Sequence, residues 1–264
     1  MSPDILCVVQ EGVATVTFNR PEVMNALSPE YLKRFIATFQ ELEARADVRV
    51  IALTGSGRAF SSGGDKEFLR ELLAMSPSQV RDVVYSSFLG ASRAVKLCSK
   101  PTVAIVNGPA VGAGCELAVA CDFRLVAQEA FFCENWIDLG IIPPLGGMLL
   151  LPRLVGLERA SNMVMRGVRV YGPEARSIGL ATECVPLAEL QQLAQGFLDD
   201  MASRSQNALR VAKQGLRRGM EGTLNGEWEF NLQAQAALIK GEDYAEAVEA
   251  IEAKRKPAFF RKGA

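Results

Sequence analysis

Two short glycine-rich segments lie about fifty residues apart, SSGGD at 61–65 and GAGCE at 112–116, each between a strand-like and a helix-like run. Turns of this kind can direct free backbone N–H groups toward one point, and a pair can bind a carbonyl oxygen as it gains negative charge. Glu116, one helical turn past the start of the second segment, would place a carboxylate nearby. Either segment alone is more typical of a tight turn, so it is the pair that indicates acid–base chemistry.

The composition restricts which groups can perform that chemistry. The chain has 264 residues and no histidine, which excludes Ser-His-Asp and Cys-His catalysis, a histidine base and the usual zinc enzymes. Acid–base work must fall to carboxylates, Lys, Tyr or Cys. A formal net charge of −1 argues against general nucleic-acid binding, which needs a surplus of basic side chains.

Cysteine usage and apolar runs bear on location. The six cysteines form no C-x-x-C pair, and the N-terminus lacks a basic segment followed by an apolar one, so we expect a reduced, cytoplasmic protein. The apolar run 101–121 is long enough to suggest a membrane span. It contains Asn107, Pro109 and Glu116, however, which favours a buried strand followed by a buried helix and no membrane contact.

Hydrophobic periodicity predicts strands that alternate with helices, which is typical of an α/β core. The strands are expected at 5–9, 13–18, 48–54, 103–106 and 123–126, and helices are expected to begin at Ser28-Pro29 and at Ser76-Pro77. From about Leu187 only helices are expected, with a turn near 219–226. We divide the chain into an α/β core at 1–200 and a helical C-terminal region at 201–264.

Five segments, spread in order over nearly the whole chain, resemble the crotonase superfamily, whose best-known members are enoyl-CoA hydratases and isomerases. They are NRP (19–21) with NAL (25–27), RAFSSGGD (58–65), PTVAIVNG (101–108) running into GAGCEL (112–117), LGIIP (139–143) with GG (146–147), and KRKPAF (254–259).

The resemblance implies an α/β fold, a crotonase-like spiral of ββα units, followed by a helical C-terminal region that makes trimer contacts and covers the acyl-CoA. It implies a homotrimer or dimer of trimers. The partner would be an acyl-CoA thioester substrate, with coenzyme A as part of that substrate and no further cofactor or metal.

The resemblance also assigns roles at the two glycine-rich segments. The backbone N–H groups of Gly64 and Ala113 match those that bind the thioester oxygen in the family, and Glu116 matches the first of two catalytic glutamates. Trp136 stands where hydratases and isomerases keep the second glutamate.

This departure leaves several interpretations open. Glu134 and Asp138 lie two residues to either side of Trp136, and a local shift could bring one of them in, although side-chain direction changes with each step along a turn. Trp136 itself could donate its indole N–H, form an apolar wall of an acyl pocket, or simply pack in the core.

Other residues are expected to contact the substrate. They are Ser62 and Asp65 in the first glycine-rich segment, Lys66 just after it, and Lys254 and Phe259 in the tail, where phosphate attraction and ring packing would favour CoA.

Three functions remain open at this point. The leading one is an enzyme that stabilises a thioester enolate, of the enoyl-CoA hydratase/isomerase type. Trp136 points to the second, a divergent acyl-CoA hydrolase or an enzyme of C–C bond chemistry. The third is a catalytically silent acyl-CoA-binding protein that has lost the second carboxylate.

Overall fold

A computed structural model describes residues 4–260. Its strands are β1 (Ile5–Gln10), β2 (Val13–Phe18), β3 (Val50–Gly55), β4 (Thr102–Val106), β5 (Ala110–Val111), β6 (Phe123–Ala127), β7 (Phe131–Cys133), β8 (Arg169–Tyr171) and β9 (Glu183–Val185). Its helices are α1 (Pro29–Ala44), α2 (Lys66–Glu71), α3 (Pro77–Val83), α4 (Gly90–Leu97), α5 (Ala113–Ala120), α6 (Gly147–Val155), α7 (Leu157–Arg166), α8 (Gly172–Ser177), α9 (Leu187–Ser203), α10 (Gln206–Gly219), α11 (Leu224–Ile239) and α12 (Glu242–Glu252).

The strands form two sheets. The larger has the order β1-β2-β3-β4-β6-β9, in which β1 pairs antiparallel with β2 and the other neighbours are parallel. Every residue of β4 is buried, which is typical of a parallel strand covered on both faces. The smaller sheet has the order β5-β7-β8. The predicted α/β fold is therefore confirmed, and the first two expected strands, β1 and β2, form a hairpin.

Local sequence signals set the helix starts. Ser28 caps α1 by accepting the N–H of Tyr31, and Pro29 occupies its first position. Ser76 and Gln79 form a capping box at the start of α3, where a helix was expected to begin.

The helix that was expected to begin at Ser76-Pro77 is not α-helical throughout. The six residues Val84–Leu89 form a π-helical segment between α3 and α4. A π turn holds more residues than an α turn, so the apolar positions shift around the axis there. The segment turns Phe88 inward, where its ring stacks on Phe68 of α2 at a centroid distance of 5.4 Å.

The apolar run 101–121 forms β4, β5 and the fully buried α5, as the strand-then-helix interpretation predicted. Among residues 4–260 there is no helix with both the length and the apolar character needed to span a bilayer.

From Leu187 to Glu252 the chain forms helices joined by short turns, and the last described residues, 253–260, are not helical. Helix α9 packs on five strands of the large sheet, so residue 200, the boundary expected between core and C-terminal region, falls inside a helix that belongs to the core. The last helices are different, because no residue of α11 is buried. Three of its large apolar side chains, Leu224, Trp228 and Leu232, are 60–76% exposed.

We propose that this exposed apolar surface of α11 is buried between copies of the chain, as a trimer or a dimer of trimers. Light scattering at micromolar concentration should give three or six times the chain mass. The paired substitutions Trp228→Glu and Leu232→Glu should lower it, because charge on an apolar contact is costly. A monomeric mass for the unaltered chain would contradict the proposal.

Candidate functional site

The two glycine-rich segments lie side by side at the carboxyl ends of β3 and β4. Ser61 donates its N–H to Pro109 O at 3.1 Å and accepts the N–H of Val111 at 2.9 Å. Gly63 has φ +89°, and a methyl group on its Cα would lie 2.7 Å from Val111 O. A residue with a side chain does not fit there, so this glycine permits the close approach of the two loops.

The backbone N–H of Gly64 faces away from its neighbouring strand. Leu27 donates to Gly63 O at 2.8 Å and accepts from Asp65 N at 2.9 Å. Leu27 and Gly64 therefore form a parallel bridge in which Leu27 bonds to the residues before and after Gly64. In this pattern the N–H of Gly64 points away from Leu27. Gly64 also borders a cavity.

Ala113 supplies a second such group. It is the first residue of α5, so its N–H has no acceptor within the helix. The nitrogen of Ala113 lies 3.6 Å from the position that a Cβ atom on Gly63 would occupy. The structure thus brings the Gly63–Gly64 backbone close to the Ala113 amide, next to the positive end of a helix dipole.

Glu116 is the fourth residue of α5 and is 1% exposed. Its Oε1 accepts two backbone N–H groups, from Leu145 at 3.0 Å and from Gly147 at 2.7 Å. Its Oε2 has no hydrogen-bond partner among residues 4–260. The carboxyl group is therefore fixed through one oxygen while the other is available.

Burial raises the pKa of Glu116 to about 7, although the hydrogen bonds from Gly147 and Leu145, and the nearby indole N–H of Trp136, act in the opposite direction. A carboxyl group with this pKa can both accept and donate a proton near neutral pH.

Trp136 lies in the short 3₁₀ helix Asn135–Leu139 that follows β7. Its side chain is buried, and its Nε1 donates to Glu134 Oε2 at 2.9 Å. The indole lies against Gly112, at the start of the second glycine-rich loop, and borders the same cavity as Gly64. The structure therefore places Trp136 between Glu134, Glu116 and the cavity.

Of the two carboxylates that flank Trp136, only Glu134 is inside. It continues the alternation of β7, whose Phe132 also points inward, and it is completely buried. Burial and the negative charge of Glu116 raise the pKa of Glu134 well above its usual value. Asp138, on the outer side of the 3₁₀ turn, is exposed and does not join the pair.

The cavity beside Gly64 has a volume of about 560 Å³ and mostly apolar walls, which come from α2, α3, the π-helical segment and the loop before α6. Apart from the indole of Trp136, only Arg81 and Tyr85 among its lining side chains carry polar groups. The other side chains that line it belong to Phe68, Leu69, Leu72, Leu73, Val80, Val84, Phe88, Leu89, Ile141, Ile142 and Pro144.

Other predicted contact residues of the first loop have structural partners. Ser62 donates its hydroxyl to Val23 O at 3.3 Å. Asp65 caps α2 by accepting the N–H of Glu67 at 2.9 Å, and it pairs with Arg20 at 3.4 Å. Lys66 begins α2 and is exposed. Ser62 and Asp65 therefore hold the loop in place, and their contact with a substrate stays a prediction.

The tail lies away from the site of its own chain. Arg49 donates to Phe259 O at 3.3 Å, and its guanidinium group lies over the ring of Phe260. Arg49 precedes β3, whereas the first glycine-rich loop follows the far end of this six-residue strand, roughly 20 Å away. Within one chain, then, the structure does not bring the exposed Lys254 or the half-buried Phe259 to the site.

The amides that hold Glu116 are the residues that sequence analysis missed. Leu145 has an apolar side chain and Gly147 has none, so neither residue type indicates a role in acid–base chemistry. The adjacent glycines at 146–147 are the feature that could have indicated them, because Gly146 has φ +112° and Gly147 leaves room for the carboxylate.

The family model described as enoyl-CoA hydratase/isomerase matches residues 8–262. The chain belongs to the enoyl-CoA hydratase/isomerase family. It is 33% identical over 254 residues to the short-chain-enoyl-CoA hydratase of Clostridium acetobutylicum, covering 96% of each protein. It is 32% identical to the crotonyl-CoA hydratase of Syntrophomonas wolfei, covering 98% of each.

Solved structures of the family share this fold. The enoyl-CoA hydratase of Bacillus anthracis superposes with a TM-score of 0.91 at 32% identity, with 99% of this chain and 100% of that one covered. The resemblance to the crotonase superfamily and the crotonase-like fold predicted from the sequence are both confirmed.

The space around Gly147 yields a prediction. A methyl group on this residue would lie 2.9 Å from Glu116 Oε1, so Gly147→Ala must displace the buried carboxylate. We expect a loss of about 1–3 kcal/mol of stability, as for overpacked cores. Gly196→Ala in α9 is the matched control, because nothing lies near its added methyl group, and it should stabilise by about 0.5–1 kcal/mol. Thermal unfolding measures both, and equal midpoints would contradict the geometry.

Proposed function

We propose that this family member acts on an enoyl-CoA thioester, that the N–H groups of Gly64 and Ala113 bind the thioester oxygen, and that Glu116 moves the protons. One observation carries the proposal: the carboxyl group of Glu116 is buried, and its Oε2 has no hydrogen-bond partner among the described residues. Glu116 lies one turn along α5, and Ala113 is the first residue of the same helix. No group beyond the coenzyme A of the substrate is required.

The proposed reaction begins with ionised Glu116. Its carboxylate removes a proton from a carbon next to the conjugated system, and the charge moves to the thioester oxygen as an enolate. The Gly64 and Ala113 amides, aided by the helix dipole, stabilise that charge, and one such donor contributes roughly 3–4 kcal/mol in other enzymes. Return of the proton to the other end of the enolate shifts the double bond.

Trp136 favours isomerisation over hydration in this scheme. Adding water, as the family does it, uses two carboxylates to hold and activate one water molecule. At the second position stands an indole whose only polar hydrogen is donated to Glu134. One carboxylate suffices to carry a proton between two carbons.

The substrate's acyl group should be apolar, because the cavity beside Gly64 offers it almost only carbon atoms.

The six cysteines are free thiols, which supports the cytoplasmic location expected from the sequence.

Glu116→Gln should lower turnover of an enoyl-CoA about a hundredfold or more, because an amide cannot exchange the proton. The amide oxygen can still accept the N–H groups of Leu145 and Gly147, so calorimetry should find CoA-ester affinity nearly unchanged. The wild-type rate should rise with pH through about 7, since Glu116 must be ionised to act as base. Full activity of the variant would contradict the assignment, and binding without turnover by the wild type would support a silent binder.

Replacing Trp136 by glutamate tests the preference for isomerisation. We combine Trp136→Glu with Glu134→Gln so that the buried cluster keeps two carboxyl groups, as in a hydratase. Hydration of crotonyl-CoA should rise about tenfold or more over the wild type. Glu134→Gln alone is the matched control and should not raise it. Efficient hydration by the unaltered chain would show that Trp136 is no obstacle.

A further inference from the structure

Glu134 and Glu116 form a pair of buried carboxyl groups with no compensating cation. Glu134 is 0% and Glu116 is 1% exposed. Within residues 4–260 no Lys or Arg makes an ion pair with either of them. Two adjacent carboxylates away from water repel each other strongly, so such a pair retains one proton over a wide range of pH.

The hydrogen bonds decide which member is ionised. Glu116 receives two backbone N–H groups and lies in the first turns of α5, where the helix dipole favours negative charge. Glu134 receives no backbone N–H: the indole of Trp136 donates to its Oε2, and the thiol of Cys115, a weak donor, lies beside its carboxyl group. The negative charge therefore belongs on Glu116 and the proton on Glu134.

We propose that Glu134 is a positioning residue whose carboxyl group keeps a proton at neutral pH, accepts the indole N–H of Trp136, and so holds this side chain between Glu116 and the cavity. Its effect on turnover rests on the proposed function, whereas its proton and its bond to Trp136 do not. Loss of the proton at alkaline pH would put a second negative charge beside Glu116 and oppose formation of the enolate.

The other titratable groups around the pair are few. Cys115 lies on α5, and burial with the nearby Glu134 raises the pKa of its thiol well above the usual value, so it stays neutral. Cys133 precedes Glu134 on β7, and burial raises its thiol pKa as well. Asp138 is exposed, and Tyr85 is on the cavity wall.

Trp136 provides a reporter that needs no turnover. The chain has two tryptophans, and the other one, Trp228, is 60% exposed. In a Trp228→Phe background, the emission of Trp136 should respond to the charge of each carboxyl group near its N–H. As the pH rises from about 5.5, we expect the emission to change in two steps, with ionisation of Glu116 first and of Glu134 second.

Three variants in this background assign the steps. Glu134→Gln should remove the upper step and keep the neutral-pH emission, because its amide oxygen still accepts the indole N–H. Glu116→Gln should leave one step, about one pH unit or more below the upper step of the parent, because the repelling charge is gone. Asp138→Asn, the matched control on the same turn, should keep both steps.

The outcomes separate this proposal from the proposed function. A single step in the Trp228→Phe parent, or two unchanged steps in Glu134→Gln, would overturn the role of Glu134 whatever the enzyme's activity. If Glu134→Gln does not fold, the Glu116→Gln variant still tests the proposal. Its one remaining step should lie at lower pH than the upper step of the parent, and a step at the same pH would overturn the proposal. In turnover, Glu134→Gln should lose the alkaline fall of the kcat/KM profile and retain the acid one.

Discussion

The fixed carboxyl group of Glu116 is the constraint on which the site depends. Its Oε1 is held by two amides of the loop before α6, and Ser92 of α4 holds this loop by donating to Leu145 O at 2.6 Å. The same helix α5 presents the N–H of Ala113 at its start. One buried helix therefore positions both the proposed acid–base group and one of the two amides proposed to bind the oxyanion, and burial raises the pKa of the carboxyl group to about 7.

The sheet supplies the second half by bringing distant segments together. Parallel strands end at the same edge, so the loops after β3 and β4 meet there. Gly63 then allows the contact with Val111 O that a side chain would block. Around this edge, the helices α2 and α3 contribute mostly carbon atoms, with Arg81 of α3 as the charged exception, and the pocket they build suits an apolar group better than a charged one.

Sequence reasoning succeeded where local signals dominate. Strand alternation, the Ser28 and Ser76 caps and the buried strand at 103–106 all follow from periodicity or capping. It was weaker where a long-range contact decides. The inward direction of Glu134, the two amides on Glu116 and the position of the tail on Arg49 depend on elements far apart in the chain. The π-helical segment at 84–89 was not predicted either.

The most direct measurement is a structure of the chain with an unreactive acyl-CoA bound. We predict the thioester oxygen within hydrogen-bond distance of both Gly64 N and Ala113 N, the reacting carbons beside Glu116 Oε2, and the acyl group in the cavity bordered by Trp136. A thioester oxygen that contacts neither amide, or an acyl group bound elsewhere with Glu116 out of reach, would contradict the account.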